Sequence, residues 1–502
     1  MHSHAKSTSV FAALMACAAW PALADVTPED VWQNWQDASA AMGQTVVAGS
    51  VARDGDTLKI EAITLASAAN SVTAEGSIEQ ILMEDQGDGT VLVTMSPDYP
   101  LKMRLPAMEA GKPEVELNIL VTQTDFQMIA SGDADAISYD MTAPTITVKL
   151  DRIAGTAAQE ANLTLDATIT DIAGTYATRK TDAGLQADSD ITASGMALAV
   201  VGAQPADQSE FRATAAMTGL ALKSSGALLG AALAAGADPQ IMAAMENSSD
   251  ITTQTTEFTL EMVEPNGTTT ANGTLGQGQV TAKTAGGVMD FFATQSSAAL
   301  TVNTPSVPVP DMAITLDKFA IALTAPIAAS EAALPFAFSI ELANLSLSDV
   351  LWTLFDPSAA LPRDPINLLI DSEGTTKLNA VPPDPSAAQM MPADLETLNL
   401  KALRLSMAGA ELLGAGTSTF TPDPSGIPSP NAKLDFTLTG ANGLMDKLVA
   451  SGLIAPEMLT FPRMMLAMVA SPMTDGSDGY TSTIEIQDKA VSANGQVLYQ
   501  LP

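Results

Sequence analysis

The chain has 502 residues, 46% of them hydrophobic, and carries 22 basic against 57 acidic side chains, a formal charge of −35. That hydrophobic share excludes wholesale disorder, and the acidic excess excludes a nucleic-acid partner, whose phosphates it repels. Charged residues make up only 16%, below the usual level of about 25%, a composition suited to long, lightly decorated sheets.

Residues 1–24 read as an export signal. Lys6 and the amino terminus form a weakly basic start, residues 10–19 are apolar, and Ala22-Leu23-Ala24 before Asp25 is a small-x-small cleavage site. Leu14-Met15-Ala16-Cys17 matches a lipobox only loosely, and apolar Ala18-Ala19-Trp20 follows it, which disfavours an outer-membrane lipoprotein. Cleavage after Ala24 predicts a periplasmic protein. The signal is too short to span a bilayer. The longest later apolar stretch, 227–237, is Ala/Gly-rich, so the mature chain is expected to have no transmembrane segment.

An amphipathic helix is expected over 25–44. Thr27 is a good N-cap, Pro28 suits the first helical position, and Glu29 and Asp30 complement the dipole. Val31, Trp32, Trp35, Ala38 and Met42 fall on one face, and Gly43 stops the helix. From Thr45 the period changes to two. Val115, Leu117, Ile119 and Val121 alternate with Glu114, Glu116 and Asn118, and Leu163, Leu165, Ala167 and Ile169 with Thr164, Asp166 and Thr168. Phe258-Leu260-Met262, Phe336-Phe338-Ile340-Leu342 and Leu434-Phe436-Leu438 repeat the pattern. Such alternation marks antiparallel sheet with one apolar and one wet face. Turns are expected at Asp54-Gly55, Asp88-Gly89, Asn266-Gly267, Asn272-Gly273 and Asn494-Gly495. The spacing predicts about 20 to 25 strands.

The expected organisation is a first β-sheet region over 45–222, a helical insertion over 223–250 and β hairpins over 251–303. A proline-rich linker (304–310) then leads to a second β-sheet region, 311–440, with a short helix at 348–356. A helical pair (441–470) and closing strands (471–502) complete the chain. Proline-rich stretches at 381–392 and 421–430 read as loops or edges. The fold class is mainly β: long, curved antiparallel sheets, groove-like or stacked as a sandwich, with the N-terminal helix and a few short helices packed on them.

Cys17, His2 and His4 are the only cysteine and histidines, and cleavage removes all three together with Lys6, leaving 21 − 57 = −36. A mature chain without imidazole or thiol excludes a Ser-His-Asp triad, a Cys nucleophile, a haem ligand and a His/Cys zinc site. It holds no S-x-x-K, no G-x-S-x-G and no Walker loop, and Gly276-Gln277-Gly278 lacks the third glycine of a dinucleotide fingerprint. No catalytic residue, cofactor or metal ligand is therefore assigned. Carboxylate chemistry survives, but a glycosidase would have to stack sugars with 4% aromatic residues, of which Trp32, Trp35 and Trp352 read as helix packing. The acidic runs Asp54-Gly55-Asp56, Glu84-Asp85 with Asp88, Asp133-Ala134-Asp135 and Asp475 to Gly479 fit no EF-hand and read as turn chemistry.

The block Leu354-Phe355-Asp356-Pro357, Leu361-Pro362-Arg363-Asp364-Pro365 and Leu369-Ile370-Asp371 resembles one in alphaproteobacterial secreted proteins grouped as domain-of-unknown-function family 2125. The Trp-bearing helix, the Arg53-Asp54-Gly55-Asp56 hairpin and the closing Ser492–Val497 strands are similar to that family as well. The family has no assigned activity, so the resemblance implies architecture and export and carries over no functional residue. More loosely, strand after strand with one apolar face resembles AsmA-type envelope proteins, whose long curved sheets hold lipid in an apolar groove. Within the block, Arg363 is expected to form a structural salt bridge to Asp356 or Asp364, with an acidic headgroup as the functional alternative. The 25 methionines either fill gaps in an Ala-rich core or line an adaptable apolar site.

These features point to a non-catalytic periplasmic β-rich protein that binds an apolar, lipid-like ligand or an envelope partner. A structural protein of closed β-sandwich domains is the alternative, and a carboxylate-based hydrolase a remote one. Sheet geometry decides between the first two.

Overall fold

A computed structural model describes residues 25–69, 72–106, 114–154, 162–182, 184–204, 208–231, 239–307, 309–378, 393–421 and 428–501. The signal, with Ala22, Ala24, Cys17, His2 and His4, lies outside the described residues, as do 381–392 and most of 421–430.

The N-terminal helix forms as the sequence dictates. Helix α1 (Pro28–Ala41) opens with a capping box in which the Thr27 hydroxyl accepts from the Asp30 N–H and the Asp30 carboxylate accepts from the Thr27 N–H. Gly43, at φ 76°, turns the chain out. Val31 and Trp32 are buried, whereas Met42, expected on the same face, is 46% exposed because the helix has already ended.

Every strand among the described residues belongs to one antiparallel sheet of 27 strands, from Gln44–Val47 to Gln496–Gln500. The ladder runs uninterrupted across the expected boundaries at 222, 250 and 303. Most strands follow as hairpins, but three stretches split, the first where Gln44–Val47 and Ser50–Asp54 lie end to end against Thr57–Ala69. Strand Val72–Asp85 pairs with two shorter strands laid end to end, Val91–Met95 and Asp98–Leu105. These pair with Gln127–Asp133 and Val115–Thr124, and Ala136–Ala154 then spans both. The same arrangement recurs where Ser209–Ala227 meets Asn247–Thr253 and Thr255–Glu264, and Val288–Asn303 closes it. The split pairs explain why the strands outnumber the 20 to 25 expected from spacing.

The splits mark a crease that crosses the strands. Ala62, Asp171, Gly219, Ser297 and Asn344 all have positive φ in mid-strand, and the ladder skips one residue at the first four and two at Asn344. Between them the crease passes the breaks at Ser96, Asp125, Gln254 and Gly276. A bulge of this kind bends a strand and raises its twist, so aligned bulges fold the ribbon along its length. Backbone groups freed there find side chains. Gln123, 5% exposed, donates to the carbonyls of Met95 and Ser96 and accepts from the Phe126 N–H. Gln295 does the equivalent for Gly276 and Ser296, at 3.0 and 2.9 Å. The crease is polar because it must be.

No ladder among the described residues joins the first strands to the last, so the ribbon is open. About twenty side-by-side positions at about 4.8 Å give it a contour of about 100 Å. Short helices punctuate it: α2 (Pro239–Ala244), α3 (Asp349–Phe355), α4 (Ala441–Ala450) and α5 (Thr460–Val469). Helix was expected to reach Asn247, but that residue opens a strand, and 232–238 lie outside the described residues. Asn272-Gly273, expected as a turn, lies inside strand Gly267–Leu275, where the Phe258 ring covers Gly273 and leaves no room for a Cβ.

Candidate functional site

One face of the ribbon is apolar along almost its whole length. Directly paired residues form a cross-strand row: Leu58, Met83, Val93, Met128, Met141, Gly174, Ile191, Leu222, Ile251. It continues through Val280, Ala293, Ile321, Ile340, Ile370, Leu403 and Gly414 to Phe436. On the other side of the crease a second row runs from Tyr99 through Val121, Val148, Ala167, Leu198, Ala215, Phe258, Gly273, Leu300 and Ile314 to Leu347. Every member is apolar, Gly or Tyr. At about 4.8 Å per strand the first row is about 75–80 Å long.

Cover ends early. Leu58, Met83 and Val93 are buried under α1, in the one large core cluster among the described residues, with Ile60, Ile63, Ile81 and Tyr139. A buried polar knot pins the helix there: the Tyr139 hydroxyl donates to Asn34 Oδ1 at 2.8 Å, and Asn34 Nδ2 donates to Thr178 Oγ1 at 2.9 Å. Burial pushes the Tyr139 and Tyr176 hydroxyls above their ordinary range. Beyond this cap Gly273, beneath the Phe258 ring, is the one buried member of the two rows, and Ile251 and Val280 are 47% and 41% exposed.

Where the cap stops, a cavity of about 340 Å³ lies across the crease, lined by Leu65, Ile78, Met95, Tyr99, Leu101 and Val121. Side chains from both sides of the crease thus look into one apolar space. Burial there lifts the Tyr99 hydroxyl to about 12. The opposite face is hydroxylic and charged. Thr168, Thr214, Thr259 and Asn272 line a depression of about 790 Å³, and cross-strand ion pairs such as Lys318–Glu341 (2.7 Å) and Lys433–Glu485 (3.0 Å) sit on it. Exposed pairs of this kind add little stability but keep that face in water.

The residues singled out in the sequence do not converge. Asp25 is exposed at the start of the described chain. Trp32 and Trp35 pack α1 onto the sheet, with the Trp35 and Tyr139 rings 6.5 Å apart. Asp356 is fully buried just after α3, where it accepts from the N–H groups of Leu361 (2.9 Å) and Ala360 (3.0 Å) and from Ser358. These bonds hold its carboxyl below the usual range, helped by the nearby Arg363 charge. Arg363 itself pairs with Asp349 in the first turn of α3, not with Asp356 or Asp364, because the Asp356 oxygens are committed to the loop backbone. Pro357 and Pro362 stiffen that loop, Pro362 packs near Gly409, and Asp364 and Pro365 are exposed before the next strand. This block is an anchor for α3.

The acidic runs cap their own turns. Asp85 accepts from Gly87, Asp88 from Thr90, Asp133 from Asp135 and Ala136, and Asp475 from Ser477. Asp478 caps α4 through the Gly443 N–H and is held below the usual range by that bond. Among the described residues no group of three or more His, Cys, Asp or Glu is placed to hold a metal ion, and no helix is long and apolar enough to cross a membrane.

The geometry therefore defines a class: an open, creased antiparallel ribbon whose apolar face is buried at one end and, among the described residues, mostly half-buried over the rest. Family comparison places it more narrowly. Residues 251–502 match the model of the family described as uncharacterized proteins conserved in bacteria (DUF2125), and the chain belongs to that family. No curated protein and no solved structure matches the chain.

Proposed function

We propose that this protein is a non-catalytic carrier or holder of apolar, lipid-like ligands in the periplasm, reached by export on residues 1–24. The trough formed by the two apolar rows is the binding surface. One observation carries the reading: the row from Met141 to Phe436 is continuous and none of its members is buried. Uncovered apolar area on this scale is costly in water at about 25 cal/mol per Å², and soluble proteins keep such strips where something binds. At about 75–80 Å the row is longer than the hydrocarbon core of a bilayer, about 30 Å, so it suits extended acyl chains lying along it. The crease allows the walls to open and close over chains of different bulk.

Native mass spectrometry and solvent extraction of the protein purified from the periplasm test this. Bound lipid or another apolar molecule in stoichiometric amount is expected, and Ile340→Asp, which places a charge in the row, abolishes it. An empty wild-type protein that also fails to take up a fluorescent fatty acid would leave only a structural role.

A further inference from the structure

Helix α5 is built for something other than the core. None of its residues is buried, although Phe461, Met464, Met465 and Met468 recur at i, i+3, i+4 and i+7, the spacing of one apolar stripe. They are exposed by 64, 55, 36 and 46%, and Met458, in the turn before the helix, by 63%. A ten-residue helix is marginal alone in water, and its outward face is left exposed by the described residues.

Two further observations say what covers it. The first is charge. Residues 441–474, which hold α4 and α5, balance Lys447 and Arg463 against Asp446 and Glu457 and are neutral in a chain of −35. An acidic body is repelled by an anionic surface, and here the repulsion is locally lifted. The second is position. The second apolar row ends at Ile314 and Leu347, and beyond it the edge of the ribbon is occupied by α3, the Met407–Ala410 turn and α4–α5. They are contiguous: Pro362 and the Lys447 ammonium both approach Gly409, and Arg463 of α5 pairs with Asp446 of α4 at 2.6 Å. Leu354 and Met407 expose 51% and 42% along this edge. The uncovered trough and the uncovered helix stripe thus lie side by side.

We propose that α5 and its neighbours form a membrane-docking edge: the stripe from Phe461 to Met468 inserts among the acyl chains of one leaflet and sets the trough against the bilayer as its entry. This deepens the ligand reading above and rests on it. The stripe is short and flanked by Arg463, Lys447 and Thr460, the pattern of a helix lying in the interface, not spanning it. A bilayer is favoured over a protein partner by the balanced charge of α4 and α5 and by five flexible or aromatic apolar side chains exposed together.

Flotation of the purified protein with vesicles tests it. Wild type is expected to float with phosphatidylcholine vesicles. Phosphatidylglycerol weakens that binding at low salt, through the acidic body, and added salt restores it. Phe461→Ser combined with Met465→Ser lowers the vesicle-bound fraction at least about tenfold, whereas Met465→Leu keeps it; circular dichroism checks that the sheet is intact. Ile340→Asp empties the trough yet still floats, while the α5 variant keeps its ligand, so the two readings fail separately. Absence of flotation by wild type, equal flotation by the α5 variant, or a concentration-dependent dimer that the variant abolishes would each overturn the docking edge.

Discussion

The open trough has a thermodynamic signature that separates it from a closed sandwich. Ile81 and Ile340 are both mid-strand isoleucines on the apolar face, but Ile81 is 0% exposed under α1 and Ile340 is only half-buried. Truncating Ile81 to Ala removes three buried carbons, about 2.4 kcal/mol at about 0.8 kcal/mol each. A closed cavity adds roughly 1 kcal/mol, for about 3–4 kcal/mol in all. Truncating Ile340 leaves no closed cavity and removes only partly buried carbons, flanked by Ile321 and Ile370, so about 1 kcal/mol is expected. Native-state hydrogen exchange of the strands flanking each site reads the local opening free energy directly, which avoids treating so long a ribbon as two-state. Equal losses of about 3 kcal/mol at both positions would mean that the face is covered, and the trough would have to be abandoned.

Two other outcomes follow from buried polar groups. Asn34→Ala leaves the Tyr139 and Thr178 hydroxyls without their shared partner beneath α1, and urea unfolding should show a loss of about 2–3 kcal/mol. Adding Tyr139→Phe should recover part of it, and strict additivity would show that the knot is not a unit. Asp356 is ionised in the fold and its folded value lies below the ordinary one, so its contribution is complete above about pH 4 and is lost as pH falls through the depressed value. Fluorescence of Trp352, whose carbonyl accepts from the Asp356 N–H, should report loosening of α3 only in that acid range. Asp356→Asn should remove the acid transition and weaken α3 at neutral pH, and a transition centred above pH 5 in the wild-type protein would contradict the assignment.

Sequence by itself determined what is local. Period-two alternation is a property of five or six consecutive residues, so the strands around Val115, Phe258, Phe336 and Leu434 were legible, as were the Thr27 cap and the turns at Asp54-Gly55 and Asn494-Gly495. That no His or Cys stands beyond residue 24 was equally readable. Tertiary structure alone decided three things. The crease depends on Ala62, Asp171, Ser297 and Asn344 adopting positive φ, a conformation that Ala and Ser do not advertise, and it arises only because neighbouring strands bulge at matching register. Asn272-Gly273 has the composition of a turn, yet a phenylalanine on the next strand holds it extended. Cover is a relation between distant segments: α1 hides the first apolar strands whereas the later ones are left mostly half-buried, and alternation looks the same in both cases. Exposure of the α5 stripe has the same origin, since helical spacing says which side chains share a face but not whether that face meets protein, lipid or water.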